Sequence, residues 1–271
     1  MMSFEQHTWP FRVMTYNIRL DTIIDGRNQW YFRKDRVINL IQHYLPDILG
    51  VQECLPKQMT DLTSGLSNYG SYAVGRNDGK DNGECCAIFY RHDRFELNDK
   101  GTFWLSETPD KPGTKGWDAA LPRICSWVKL RDRLMNKEMF YFNTHFDHKG
   151  LVARRESAKL ILTRIEQIVG YATHAILTGD FNSGPESDAY RTITNNINFA
   201  DAKLSTASVH SGPDGTWSTF DVKYDIGDRI DYIFITPARL EVLRHAHLTD
   251  SNNKFYPSDH LPVLAELTYR N

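Results

Sequence analysis

The feature that most restricts what this chain can fold into is a plan that occurs twice. Residues 11–20, FRVMTYNIRL, read as a strand with Val13, Thr15 and Asn17 on one face and Met14, Tyr16 and Ile18 on the other. Asn17, a poor strand former, stands near its end. Residues 30–44 carry Val37, Leu40, Ile41 and Tyr44 at helical spacing, and Pro46 forces the chain out of that helix. DILGVQE, 47–53, is then a short apolar strand ending in a carboxylate. The order returns downstream. A strand over 138–146 holds His145, and a helix over 151–169 puts Ala158, Ile161, Leu162, Ile165 and Ile168 in one stripe. An apolar strand at 175–177 then leads to Asp180. Two such halves predict two packed sheets with helices outside and a site where the polar strand ends converge.

The second of those carboxylates lies in HAILTGDFNSGPES, residues 174–187. The strand is expected to break at Gly179 and deliver Asp180 and Asn182, which share one face if the backbone stays extended. A carboxylate that only accepts beside an amide that also donates suits a site holding a metal-bound water next to an anionic oxygen. The plainer alternative is an Asx-turn at Asp180 and a helix cap at Asn182. Gly184-Pro185 ends the strand, with Pro185 placed near the first turn of a short helix over 186–193.

Between these landmarks the chain predicts a helix at 57–66, extended segments at 69–75, 84–91 and 94–103, and a strand at 124–130. A long Pro-, Gly- and Lys-rich loop spans 104–121, of the kind that is usually functional or mobile. After a polar loop at 205–215, residues 229–236 (RIDYIFIT) form a buried strand interrupted only by Asp231. Strands at 240–248 and 261–269 follow. No linker or charge block divides the 271 residues, so one domain is expected.

Composition removes several classes. Cys54, Cys85, Cys86 and Cys125 have no paired spacing, so they read as reduced, buried small hydrophobes of a cytoplasmic protein, not as disulfides or zinc ligands. The N-terminus lacks a basic segment followed by an apolar core, and no apolar run approaches the ~18 residues of a membrane span. A net charge of -2 without a basic stripe leaves nucleic acid possible but disfavoured as a partner.

Asn17, Glu53, His145, Asp180, Asn182, Asp231, Asp259 and His260 all fall at or just past the ends of apolar strands. Carboxylates there are costly unless they meet a metal, a cation or donors. Oxygen-dominated ligands suit Mg2+ or Mn2+ better than zinc, with Glu53 the leading direct ligand and Asn17 beside it. The plainer alternative for Glu53 is a cap on the helix after Pro56. In SDHLP, 258–262, His260 could take a proton from water if a carboxylate orients it, and buried Asp231 is the best candidate; Asp259 could reach a metal from the same turn.

Together these segments resemble the endonuclease/exonuclease/phosphatase superfamily: TYNIR at 15–19, GVQE at 50–53, NTHFDH at 143–148, GDFN at 179–182, RIDYIF at 229–234 and SDHLPV at 258–263, in the family's order. The resemblance implies a four-layered α/β sandwich, two mostly antiparallel sheets flanked by helices, and divalent-metal-dependent cleavage of phosphate esters. It implies metal binding at Asn17 and Glu53, a water-activating pair in His260 and Asp231, and water and phosphate orientation by Asp180 and Asn182. Asp259 matches the carboxylate before the last histidine. His145 resembles the second histidine of the deoxyribonuclease I branch, where a glutamate at the position of Glu84 pairs with it. Arg123 resembles an arginine near the scissile phosphate. Abasic-site endonucleases have an aspartate where this chain has Arg19, which would bind substrate phosphate or pair with a carboxylate. FWLSETP (103–109) and KGWDAALPR (115–123) look most like uncharacterised bacterial metal-dependent hydrolases. The expected partner is therefore a phosphate-ester substrate, with a nuclease or a silent binding module of the same fold as alternatives. Trp30, Trp104, Trp117, Trp217 and Phe220 could stack on a base or sugar, with Trp117, in its Gly/Lys-rich loop, favoured.

Overall fold

The computed structural model describes residues 9–170 and 174–270. Numbered along the chain, the strands of one sheet run in the order β11 (Leu240–His247), β12 (Val263–Tyr269), β1 (Phe11–Asn17), β2 (Ile48–Cys54), β4 (Cys85–Arg91), β3 (Tyr69–Tyr72). The other sheet is β5 (Phe95–Trp104), β6 (Ile124–Asp132), β7 (Lys137–His145), β8 (His174–Asp180), β10 (Asp231–Ile235), β9 (Ala200–Asp201). The helices are α1 (Trp30–Tyr44), α2 (Pro56–Gly65), α3 (Leu151–Val169), α4 (Asp188–Thr194) and α5 (Ala202–Ser205), with a short 3-10 turn at Ile23–Asn28.

Alternation of apolar side chains builds three apolar layers and hence four layers of structure. Val13, Ile48, Ile88, Val128, Tyr141, Ile176, Ile233 and Val263 fill the space between the sheets. Met14, Tyr16 and Ile18, on the other face of β1, pack with Val37, Leu40 and Ile41 of α1 and Leu62 of α2. Ala158, Ile161 and Ile165 of α3 cover Phe140, Phe142, Leu177 and Phe234 on the far sheet. Each fully buried large aliphatic or aromatic side chain contributes roughly 1.5–3 kcal/mol by leaving water.

Both repeats of the sequence plan are parallel strand–helix–strand units. β1 pairs parallel to β2 and β7 parallel to β8, while all the other strand pairs among the described residues are antiparallel. The central strands carry polar groups where the sheets meet near the site. Asn143 Nδ2 donates to Val51 O (3.0 Å) and Ala87 O (2.8 Å) across the interface, and its Oδ1 accepts from Gln52 Nε2 (2.6 Å). These buried bonds fix the relative shift of the two sheets.

Two local expectations are corrected. The strand does not break at Gly179 but continues to Asp180. Glycine is needed there because φ is 151° and an added Cβ would meet Thr144 O at 2.1 Å, where β7 approaches. Nor does the backbone stay extended to Asn182, whose φ is 47°. The helix that follows is α4, capped by Ser187 Oγ accepting from Tyr190 N (3.2 Å), so Pro185 precedes it instead of opening it.

Candidate active site

The parallel pairs end on the same edge of the sandwich. β1 and β2 deliver Asn17 and Glu53 there, and β7 and β8 deliver His145 and Asp180, which face each other in register. β10 starts from that edge with Asp231 opposite Asp180. The turn before β12 adds Asp259 and His260. Glu53, His145, Asp180, Asp259 and His260 line one cleft of ≈ 460 Å³, together with Arg19, Glu84, Arg123, Asn182 and Trp217. Asp231 stands behind His260, its Oδ2 2.8 Å from His260 Nδ1.

Backbone irregularity aims three of these side chains. Glu53 has φ 60° at a shift in the β2–β4 pairing between Val51 and Cys54, and Arg19 has φ 59°. With Asn182, these are non-glycine residues in the left-handed region, each costing roughly 1–3 kcal/mol that the surroundings must offset. Glu53 Oε2 accepts from Leu20 N (3.0 Å) and Oε1 from Asn17 Nδ2 (3.0 Å). Buried Arg33 of α1 donates to Ile18 O, Arg19 O (2.6 Å) and Pro257 O (3.2 Å), tying the exit of β1 to the turn that carries His260. Glu53 does not cap α2: Gln58 Oε1 accepts the Leu55 N–H (3.1 Å).

Asn182 N donates to Asp180 Oδ1 (2.9 Å), an Asx-type turn, yet Asn182 Nδ2 still reaches His145 Nε2 (3.1 Å) and Phe146 O (2.9 Å). The Asx-turn expected at Asp180 is present, but Asn182 caps no helix, since Ser187 caps α4, and its amide is turned toward His145 instead. Asn17 Nδ2 donates to Glu53 and to Asp180 Oδ2 (2.9 Å), while its Oδ1 accepts the Arg19 N–H (3.0 Å). As placed, Asn17 braces two carboxylates; presenting its oxygen to a metal would require turning the amide over and leaving Arg19 N–H without its acceptor.

The charges in the cleft are strongly perturbed. Burial, reinforced by Asp231, pushes the Asp180 carboxyl up to about 7. Burial, with Glu53 adding to it, also raises Asp259. For Glu53 burial acts the same way, but His260, Asn17 and Leu20 N–H outweigh it and hold the group below its usual range. Burial disfavours a charged His260, yet Asp231, then Asp180, keep its pKa well above the ordinary value. Burial and the guanidiniums of Arg123 and Arg76 push His145 well below.

On the opposite wall, Arg123 is 5% exposed, a buried guanidinium. Its Nε lies 3.5 Å from Asp147 and one Nη 3.0 Å from His148 Nδ1, while its other Nη is buried without a partner. Arg19 is paired instead, in a fork to Asp25 (3.0 Å twice) and 3.8 Å from Asp259. Glu84 departs from the expected pairing with His145, which lies 3.9 Å away; its close partner is Arg76, at 2.6 and 2.8 Å. Of the aromatics, Trp117 does not line the cleft; Trp217 does, with 47% of it exposed. Trp30, Trp104 and Phe220 are buried, the two indoles donating to Asp61 and Arg76 O.

Sequence reasoning missed Thr216, whose Oγ1 donates to Asp231 Oδ2 (2.6 Å), and Arg76 and Arg33, which hold acidic and backbone groups in place. A Thr in a polar loop and an Arg inside a helix carry no signal of that kind.

The donor set fits a hard divalent cation. Ligand atoms of Glu53, His145 and Asp180 lie within 4.8 Å of one another, as do those of Asp180, Asp231 and His260. Five carboxylates line the cleft (Glu53, Glu84, Asp180, Asp228, Asp259) against two guanidiniums and the His260 ring, so it is short of positive charge.

Comparison with known proteins gives a consistent picture. Residues 14–260 match the family described as "Endonuclease/Exonuclease/phosphatase family". A structure of such a family protein from Bacteroides thetaiotaomicron is 37% identical, with a TM-score of 0.93 over 98% of this chain and 100% of that one. A mannosyl-6-phosphatase from the same organism is 38% identical, TM-score 0.90, over 95% of this chain and 99% of the other. The Drosophila melanogaster protein Nocturnin is 25% identical over 88% of this chain, which spans only 42% of the fly protein.

Proposed function

Since the chain belongs to the endonuclease/exonuclease/phosphatase family, whose members are hydrolases acting on phosphoesters, we propose that it is a divalent-metal-dependent phosphoesterase acting on a small phosphomonoester, a sugar phosphate by preference. The observation that carries the reading is the meeting of Glu53, Asp180 and the His260–Asp231 pair in one cleft, opposite a buried arginine nitrogen that lacks an acceptor.

Mg2+ or Mn2+ bound there would offset charge developing on the phosphate and the leaving oxygen. Glu53 is the carboxylate placed to hold it, with Asp180 and Asp259 alongside and Asn17 fixing Glu53 against Asp180. Asp231, hydrogen-bonded by Thr216, orients His260 so that Nε2 faces the cleft. His260 must shed its proton before Nε2 can accept one from water, and neutralising Asp180 and Asp259 would remove two of the charges that, after Asp231, hold that proton. Asp180 and Asn182 orient the water. Arg123 offers its free N–H to phosphate, while Arg19, already forked to Asp25, adds field more than a new bond. His145, neutral at pH 7, accepts from Asn182 and contributes to binding phosphate or assisting departure of the leaving group. Trp217 at the rim offers a face for a sugar ring.

The family match spans 247 of 271 positions (14 to 260), which supports treating the chain as one catalytic unit. Four free, buried cysteines support a reducing, cytoplasmic setting. Among the described residues, no helix is long and apolar enough to cross a membrane.

The test is hydrolysis of a hexose 6-phosphate, a chromogenic phosphodiester and a single-stranded oligonucleotide, with Mg2+ or with chelator. We expect chelator-sensitive release of phosphate from the hexose ester. Glu53→Gln should lower turnover by roughly 10²–10³-fold at saturating Mg2+. Wild-type turnover in that variant would remove Glu53 as the metal's ligand. Preferred cleavage of the oligonucleotide, with binding that weakens steeply in salt, would favour the nuclease alternative instead.

A further inference from the structure

Away from the cleft, three histidines meet at the edge of the first sheet. His245 and His247 are two residues apart on β11, so both point to one side of the strand, and His210 approaches them from the 205–215 loop. One ring nitrogen from each lies within 4.8 Å of the others, and the ring centroids are 4.5–5.3 Å apart. From this arrangement we propose that His210, His245 and His247 form a second metal site, for a borderline transition ion such as Zn2+, that fastens the loop to the sheet edge.

The hydrogen bonds decide which nitrogens are free. Pro213 O, which can only accept, faces both His210 Nε2 (3.2 Å) and His247 Nδ1 (2.8 Å). Both of those nitrogens therefore carry hydrogens, leaving lone pairs on His210 Nδ1 and His247 Nε2. His247 Nε2 is buried and has no partner at all. His210 Nδ1 lies 3.0 Å from His245 Nδ1, so one proton is held between two rings; a cation taking its place would leave it on His245 Nε2, the other tautomer of that ring. Locking a ligand's tautomer through a carbonyl on its other nitrogen is the usual outer support of metal-bound imidazole. A tetrahedral Zn2+ with bonds of ~2.0–2.1 Å needs nitrogens about 3.4 Å apart, an inward adjustment of an ångström or so for the most distant ring.

The surroundings permit a cation. Lys203 and Arg229 are the nearby positive groups, and each is already paired, to Asp214 and Asp201 at 2.7 Å. The loop lies directly on the strand: Ser211 N donates to His245 O (3.1 Å) and His247 N to Ser211 O (2.9 Å). Gly212, φ 98°, lets it come that close, since a Cβ would meet His247 O at 2.1 Å. Four residues beyond Gly212 the same segment reaches Thr216 and its bond to Asp231. A cation here would thus hold in place the stretch that steadies the acid–histidine pair.

Thermal melting of the chelator-stripped full chain with added Zn2+ tests the site, with Glu53→Gln as background so that the cleft does not contribute. At Zn2+ roughly a hundredfold above Kd, the midpoint should rise by several degrees. His210→Ala, a change at a half-buried loop residue, should abolish the rise while leaving the metal-free midpoint within a degree or two. Co2+ should give a tetrahedral d–d absorption that His210→Ala also removes. Equal Zn2+ stabilisation with and without His210, or none in either, would overturn the proposal. If His210→Ala melts abnormally, His210→Asn and the cobalt spectrum decide on the same criteria.

Discussion

At the scale of single residues, the site depends on side chains that are held more than on side chains that are exposed. His260 is 5% exposed and Asp231 1%, and their 2.8 Å contact is steadied by Thr216. His260→Ala should lower kcat by about 10²–10⁴, the usual contribution of a positioned base, with the circular dichroism spectrum unchanged. Thr216→Val acts one step further out. It should cost about tenfold in kcat, leave KM nearly constant and shift the pH–rate profile, as expected for a positioning residue. An unchanged pH profile would reduce Thr216 to a packing role. The identities of Glu53, Asp180, Asp231, Asp259 and His260 were legible in the sequence because a carboxylate or imidazole at the end of an apolar strand needs a reason to be there. What was not legible is how they are aimed. The left-handed φ of Glu53 and the turn at Asn182 depend on bonds to Leu20, Asn17 and Phe146, which are distant in sequence.

At the scale of elements, the repeated strand–helix–strand unit was readable because α1 and α3 carry long apolar stripes at helical spacing. α3 runs over the very residues its stripe predicts. The short pieces were not readable: β9 has two residues and α5 four, too few to show a period. Pairing order was hidden as well, since β10 and β12 join their sheets by contacts formed across the fold. Asp147 shows how one residue joins elements. Its Oδ1 accepts from Lys149 N and Gly150 N at the start of α3, and its Oδ2 accepts from Leu121 N in the long loop beside Arg123. Although its burial opposes ionisation, those N–H groups and Arg123 hold Asp147 well below the usual carboxylate range. A depressed folded-state pKa stabilises the protein above the unfolded value near 3.9, and that stability is lost as pH falls through the folded value. Asp147→Asn should therefore lower stability by about 2 kcal/mol at pH 7 in urea titrations, with the gap from wild type closing in acid. A gap that stays constant down to pH 2 would count against this role.

At the scale of the whole molecule, the four layers place chemistry on one edge and leave the remainder as support. The cleft's excess of carboxylates sits within a chain whose net charge is only -2. Long-range steering of polyanions is therefore weak, which favours the small phosphomonoester proposed above over a nucleic acid. The sandwich itself followed from pattern; the seam did not, because Asn143 and Gln52 look like ordinary polar residues until two sheets close over them.

β12 lies between β11 and β1, so among the described residues the last strand completes the sheet that the first one begins. During synthesis β1 must wait, one side unpaired, until β2 to β11 have been made, and His260 is contributed only with the segment that leads into β12. A chain synthesised only as far as β11 would hold Glu53 and Asp180 without the histidine, and the acid–histidine pair could not yet form. Shortening the gene to end after Asp250 should yield a sticky product that sediments from lysate, since two strand edges would be left open. A soluble monomer from that shortened gene would mean the early strands find another way to cover themselves.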